Sequence, residues 1–416
     1  MKGLTNFGNT CYLNSSIQTI SNIYPLTKYL INNKEEIVKT LLLNAHKIYK
    51  SGIIKENMNI SNSIKSIIAN ENYKPSDFTI DEANIFLKCT MTFQLVKILT
   101  ELWTPSNETI LRPVSFFQVF KLVRDKFFGN NEQHDAEESF NCIMQQVQIE
   151  LSTTVTQVVN NIRSLDVYLK RRKSILDECA NNKPLLINKI SELNNEMPLE
   201  YLNKVAIQEI WKEMKDSYSL PKYLFSGFMH ETISCPDQKC SYIRNKFSTH
   251  QHILLNIPNA SMNNLDKCFE EYFKDEILSE SDKWRCEKCG KLVRAKLSKE
   301  IWSPPIILVV QIKRFSYVSD FKDIRLVSYN NDNLNLSKYV SDKKLDQAKS
   351  SNYILQSIIC HSGRTKNSGH YYTYSKNSEN VWCEFNDETI RKIPNASILT
   401  SDAYILTYIR ADQFTN

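Results

Sequence analysis

Residues 3–20 read GLTNFGNTCYLNSSIQTI, a polar turn running straight into a helical pattern. Leu13, Ile17 and Ile20 recur at helical spacing, so a helix is expected from about Cys11 onward. Gly8-Asn9 supplies turn chemistry, and Thr10 stands where an N-cap belongs. Cys11 then falls in the first turn, where unpaired backbone N–H groups and the helix dipole favour negative charge. A thiolate is such a charge, and a helix N-terminus is one setting that lowers a cysteine pKa. The competing reading is a buried structural cysteine. The rest of the chain has to choose between them.

Of 416 residues, 42% are hydrophobic and 24% charged, which is ordinary for a soluble globular protein with a sizeable core. No apolar run reaches transmembrane length and no basic-then-apolar leader opens the chain, so neither a membrane nor secretion is expected. Cytoplasmic or nuclear location follows. In such a compartment eleven cysteines point to thiol chemistry or metal before disulfides. The net charge of +6 is spread along the chain, and its densest cluster is Lys170, Arg171, Arg172 and Lys173. Without a nucleic-acid-binding motif beside it, that cluster reads as a solvated helix face, and no nucleic-acid partner is expected.

The first half reads as helical, with helix-period apolar residues over 16–55 and 86–103 and a stripe of Ala136, Phe140, Ile143, Met144, Val147 and Leu151. Residues 56–85 are Asn/Ser-rich and read as a surface excursion. Residues 155–215 continue in mixed-charge, helix-forming sequence, expected as an inserted helical arm able to serve a partner or self-association. After residue 225 the texture changes to short β-branched and aromatic runs, among them ETISC, FSTHQHILLNI, PIILVVQIKRFSY, YILQSIICHS, HYYTYSK, VWCEF and AYILTYI. Helices first and strands later predict an α+β architecture.

A cysteine nucleophile needs a base within reach and a third group to orient that base. His370, in GHYYTYS, is the best base. A hairpin closed by the loop Lys376–Asn380 and centred on Ser378 pairs Ser375 with Val381. His370 then lies opposite Asn386, with Cβ atoms about 4.5–5.5 Å apart. His361 is a second candidate base, without a comparable partner. Cys235 and Cys240 bracket PDQK, Cys286 and Cys289 bracket EK, and the four suit a closed tetrahedral zinc site with no open position. Asp135 and Glu138, three apart at a helix start, are expected to share a face. Locally they read as dipole compensation unless a basic ligand exists.

Together these stretches resemble the catalytic domain of the ubiquitin-specific proteases, a family of papain-like cysteine deubiquitinases. GLTNFGNTCYLNSSIQ is similar to its cysteine box and EQHDAEESF to its glutamine-aspartate box. PPIILVVQIKRF resembles the strand beyond the zinc knuckles. YILQSIICHSGRTKNSGHYYTY and WCEFNDETI resemble the histidine and Asn/Asp boxes, and AYILTYIR the closing strand. The resemblance implies a single domain over 1–416: a helical thumb over about 1–224, zinc-braced β fingers over about 225–301 and a β-rich palm over about 302–416.

It further implies that Cys11 is the nucleophile, His370 its base and Asn386 the orienting residue, with Asp387 as support or substitute. Asn6 would hold the oxyanion. Asp135 and Glu138 would face the basic tail of ubiquitin, with Gln133, His361 and Gly369 lining the cleft. The implied substrates are ubiquitin and ubiquitinated proteins, and the implied cofactor is structural zinc. Two departures stand out: Gln133-His134-Asp135-Ala136-Glu137-Glu138-Ser139 replaces the usual Gln-Gln-Asp-Ala-His-Glu-Phe, and the first zinc knuckle is C-x4-C. The rival readings are a protease for a ubiquitin-like modifier, a ubiquitin-binding scaffold with weak catalysis and a zinc-ribbon module.

Overall fold

The computed structural model describes residues 1–51, 60–123, 133–156, 163–315, 321–346, 350–365 and 368–413. Its first half is helical, and the expected run over 16–55 is broken into short helices. Helix α1 (Cys11–Ser21) ends at Asn22, and further helices end at Asn33 and Asn44. The Asn22 and Asn33 side chains donate to the carbonyls of Gln18 and Tyr29, four residues back. Asparagine competes with the backbone in this way, and so the apolar periodicity alone overruns the breaks. Residues 52–55 lie outside the described residues.

The segment read as a surface excursion is corrected. Residues 60–85 include a helix over Asn62–Ala69, capped by the Ser61 hydroxyl, that buries Ile64 and Ile68. They also hold the start of α2 (Ile80–Lys88), which opens on a Thr79–Glu82 capping box. Residues 56–59 lie outside the described residues. Then come α3 (Met91–Trp103), α4 (Val114–Val123) and α5 (Ala136–Glu150). Glu150 is fully buried, and its carboxylate accepts from the backbone N–H groups of Met91 (3.0 Å) and Thr92 (2.7 Å). Burial pushes its pKa up, while the N-terminus of α3 supplies the donors that hold it.

The expected arm is three helices, α6 (Arg163–Glu178), α7 (Lys183–Glu196) and α8 (Pro198–Met214); residues 157–162 lie outside the described ones. Leu165, Tyr168 and Leu193 give α6 and α7 a small core of their own. Arg171 of the basic cluster forms a bidentate pair with Glu196, as a solvated helix face would. Helix α8 packs Ala206 against Phe247 and Trp302, which leans the arm on the first sheet.

That sheet is antiparallel, with β1 (Gly227–Ser234) between β2 (Ile243–His250) and the later strand β4 (Lys296–Ser303). The run FSTHQHILLNI proves to be two strands. At Gln251 the chain leaves β2, and β3 (His252–Leu255) enters a second sheet, parallel to β5 (Ile307–Ile312). That sheet also holds β6 (Asn352–Thr365), β7 (Ser368–Lys376), β8 (Trp382–Asn386), β9 (Thr389–Lys392) and β10 (Ala403–Arg410), with a short strand over Leu334–Asn335 paired to β6. Their spatial order is β9-β8-β7-β6-β10-β5-β3. Alternation sends Ile307, Val309, Ile359, Tyr371 and Ile405 into the helical core, and Leu308, Val310, Ile358, Cys360 and Leu406 into a second core. The architecture is α+β, as the texture predicts.

Candidate active site

Helix α1 lies across β7, and all eleven of its residues are buried. The apolar stripe Leu13, Ile17 and Ile20 accounts for one side only. The polar side is buried as well: Ser15 O accepts from Thr373 (3.1 Å), and Ser16 Oγ lies 2.6 Å from Ser139 Oγ on α5. Ser139 is the departure from the family's phenylalanine, and here its small side chain forms that hydroxyl pair. Cys11 opens α1 at 4% exposure. Thr10 occupies the N-cap position without capping: its hydroxyl donates to Asn6 Oδ1 (3.1 Å) and accepts from Phe7 N (3.0 Å).

The turn before Cys11 is built around the Asn6 side chain. Its Oδ1 accepts from Gly8 N (2.9 Å) and Thr10 N (3.2 Å), and positive φ at Gly8 (+90°) and Asn9 (+55°) closes the loop. With Oδ1 fixed in the turn, Nδ2 donates to Asp387 Oδ2 at 2.7 Å. Asn14, one turn into α1, donates to Asp387 Oδ1 at 2.8 Å and to the carbonyls of Leu4 and Thr5. Leu4 N donates to the Asp387 carbonyl, and a Cβ on Gly3 would stand 2.2 Å from Glu388 O. The N-terminal strand therefore lies hard against the β8–β9 turn, where Asp387 itself adopts φ +48°.

His370 meets Asn386: Nε2 lies 2.7 Å from Asn386 Oδ1, and the interaction of the ring with Cys11 is the leading cause of its raised pKa. The register behind this contact differs from the expected one. Ser375 pairs with Cys383 and Thr373 with Phe385, so the hairpin is shifted by two residues. A shift of two preserves the face, and His370 reaches Asn386 diagonally. The bond to Cys11 is the largest influence on His370, and with Asn386 it outweighs burial and raises the pKa to about 9. The Cys11 sulfur also accepts from Tyr371 N at 3.5 Å. Gln133 crosses from the thumb to donate to Gly369 O at 2.9 Å, with its Nε2 3.9 Å from the same sulfur.

Three expected placements are corrected. Asp387 gives both oxygens to Asn6 and Asn14, so it anchors the turn and is not a second acceptor on the imidazole. Asp135 and Glu138 differ in depth. Asp135 is the buried N-cap of α5, accepting from Glu137 N and from the Tyr404 hydroxyl at 2.8 Å each, while Glu138 is exposed. His361 is no cleft-loop residue. It is a fully buried residue of β6 whose ring lies beneath Gly369, against Tyr371 and Phe315, with its pKa pushed down to about 4 by burial. A Cβ on Gly369 would stand 2.5 Å from the His361 ring, so the glycine is demanded by that packing. Asn14 was missed, although a polar residue beside Leu13 and Ile17 was its available signal.

Cys235, Cys240, Cys286 and Cys289 come together at the tips of the first sheet. Cys235 Sγ lies 4.0 Å from Cys289 Sγ, Cys240 Sγ lies 3.6 Å from Cys286 Sγ, and all four sulfurs are within 4.8 Å of one another. A tetrahedral thiolate site with metal–sulfur bonds of about 2.3 Å spaces its sulfurs about 3.8 Å apart, so the set fits a metal ion.

A helix-borne cysteine facing a histidine–asparagine pair on an adjoining sheet defines a papain-like cysteine hydrolase. Comparison with known proteins narrows the class. The ubiquitin carboxyl-terminal hydrolase family matches residues 2–408. A probable ubiquitin carboxyl-terminal hydrolase of Acanthamoeba polyphaga mimivirus is 37% identical over 99% of this chain and 90% of its own. Ubiquitin carboxyl-terminal hydrolase 25 of Arabidopsis thaliana is 26% identical, and there the match spans 99% of this chain but 47% of the plant protein. In fold, the chain is similar to the SAGA Ubp8/Sgf11/Sus1/Sgf73 DUB module bound to ubiquitin aldehyde. That likeness has a TM-score of 0.60 at 20% identity and covers 99% of this chain and 69% of the other. The chain belongs to the ubiquitin carboxyl-terminal hydrolase family, the cysteine-type deubiquitinases.

The raised pKa of His370 gives a measurable sign. Stability from its charged form is fully present below the unfolded value of about 6.5 and is lost as pH rises through about 9. NMR titration of the ring is expected to give a value near 9 in the native protein and a clearly lower one in Cys11→Ala. Equal values in the two proteins would deny the Cys11 contact.

Proposed function

We propose that this chain hydrolyses the bond following the C-terminal glycine of ubiquitin through a thioester on Cys11. The observation that carries the reading is His370 Nε2 at 2.7 Å from Asn386 Oδ1, on a ring whose pKa is raised foremost by its interaction with Cys11. In the first step the Cys11 sulfur attacks the terminal carbonyl, and His370 gives its proton to the departing lysine amine. Water, activated by the same ring, then attacks the thioester and releases ubiquitin. Asn386 keeps the ring oriented as a neutral acceptor.

Asn6 serves the oxyanion. One N–H of its amide is bound to Asp387, the other remains for the substrate, and its carbonyl oxygen, locked in the turn, prevents the amide from flipping. Asp387 and Asn14 thus act as positioning residues. Gln133 marks the passage of the ubiquitin tail, because its bond to Gly369 O spans the space above Cys11. Glu138, exposed on the first turn of α5, is the carboxylate offered to the basic tail; Asp135 supports that turn from beneath. Zinc is the metal we assign to the four cysteines, held as a structural brace by a shell with no vacant position. The reducing cytoplasm or nucleus suits a chain whose eleven cysteines are all free.

Steady-state hydrolysis of ubiquitin carrying a C-terminal fluorophore tests these roles. His370→Ala is expected to lower kcat by about 10³-fold or more, and Asn386→Ala by less. Asn6→Ala is expected to cost about 10²–10³-fold in kcat. Asp387→Ala should fall in the same range, and the Asn6→Ala/Asp387→Ala pair should be no worse than the poorer single variant, since both remove one device. Additive losses would separate Asp387 from Asn6. For the metal, elemental analysis of native protein is expected to give one zinc per chain, and a chelator should melt the first sheet before the second. Protein folded without any stoichiometric metal would end the zinc assignment.

A further inference from the structure

On the thumb, helices α2, α3 and α4 leave an open groove of about 690 Å³ that shares no residue with the active site or the cysteine cluster. Its apolar lining comes from all three helices: Ile85 on α2, Phe93 on α3, and Val119 and Leu122 on α4. Ile85 remains 40% exposed. Three lysines border it, Lys88, Lys97 and Lys121, one from each helix and all exposed. Among the described residues no aspartate or glutamate lines the groove, and none of the three lysines makes a salt bridge. Elsewhere some lysines pair with neighbouring carboxylates, as in Lys189–Glu178, Lys296–Asp275 and Lys338–Glu270, while others such as Lys34, Lys183 and Lys239 make no salt bridge among the described residues.

We propose that this groove docks an acidic amphipathic helix of a partner protein. A fourth helix laid between packed helices buries an apolar stripe on Ile85, Phe93, Val119 and Leu122, the helix-in-groove mode of recognition. Its flanking glutamates or aspartates then meet the three lysines. Charge complementarity selects the acidic partner and rejects basic helices by like-charge repulsion. Nucleic acid fits less well, because among the described residues no arginine lines the groove. The inference does not depend on the catalytic reading.

The probe is a fluorescein-labelled peptide about 16 residues long, with leucines at i, i+3, i+4 and i+7 and glutamates on the flanks. Fluorescence anisotropy on the full chain is expected to show micromolar binding that weakens as salt rises. The Lys88→Glu/Lys97→Glu/Lys121→Glu variant and the Ile85→Asp variant should each weaken it by about tenfold or more, and a lysine-flanked version of the peptide should not bind. Both variants alter exposed side chains, and ubiquitin hydrolysis is expected to stay at the wild-type rate in each. Equal binding of the glutamate and lysine peptides, equal binding by wild type and the triple variant, or no binding at millimolar peptide would overturn the proposal. Loss of hydrolysis in wild type would bear on the active site alone.

Discussion

Two amides from the first fourteen residues close on one carboxylate near the far end of the chain. Asn6 and Asn14 both donate to Asp387, and the two contacts bridge sequence separations of 381 and 373 residues. The active site depends on this clasp. Through these side chains it ties the turn before Cys11 to the hairpin that carries Asn386. The charge on Asp387 makes each bond stronger than a neutral pair, and the backbone contact from Leu4 N to Asp387 O prevents the turn from sliding. Positive φ at Asp387 is the local strain that this arrangement holds in place.

The clasp also explains why α1 is polar on the side away from its apolar stripe. A helix buried on all sides would ordinarily be apolar all round. Here Asn14 Nδ2 donates to Asp387, Ser16 Oγ meets Ser139 Oγ, Gln18 donates to the Lys2 carbonyl, and the main-chain carbonyl of Ser15 accepts from Thr373. Satisfied buried polar groups specify one arrangement, because any shift leaves a donor or acceptor unpaired. Nucleophile placement is thus enforced by many short polar contacts and not by one.

Much of this was legible before any coordinates. The Cys11 turn, the His370 and Asn386 strands, the four cysteines and the change from helix to strand each leave a local signal of spacing or turn chemistry. What failed did so for tertiary reasons. The β7–β8 register differs by two because the loop closes with Asn377 bonded to Val381, a choice that residue types did not dictate. His361 reads as a polar residue in a glycine-bearing loop, yet it sits on a long strand whose neighbour, Gly369, leaves room for its ring. Asp135 and Glu138 are three apart, but spacing does not tell depth: the first is a buried N-cap and the second is exposed. The Asn/Ser-rich composition of 60–85 hid Ile64 and Ile68, whose spacing was visible and whose burial was not.

The most direct test of the account is reaction of the full chain with ubiquitin bearing an electrophilic C-terminus, followed by intact-mass measurement and peptide mapping. The account predicts one ubiquitin added per chain, attached at Cys11, and no adduct in Cys11→Ala. An adduct that persists in Cys11→Ala, attachment at another of the eleven cysteines, or an unreactive folded protein would contradict it.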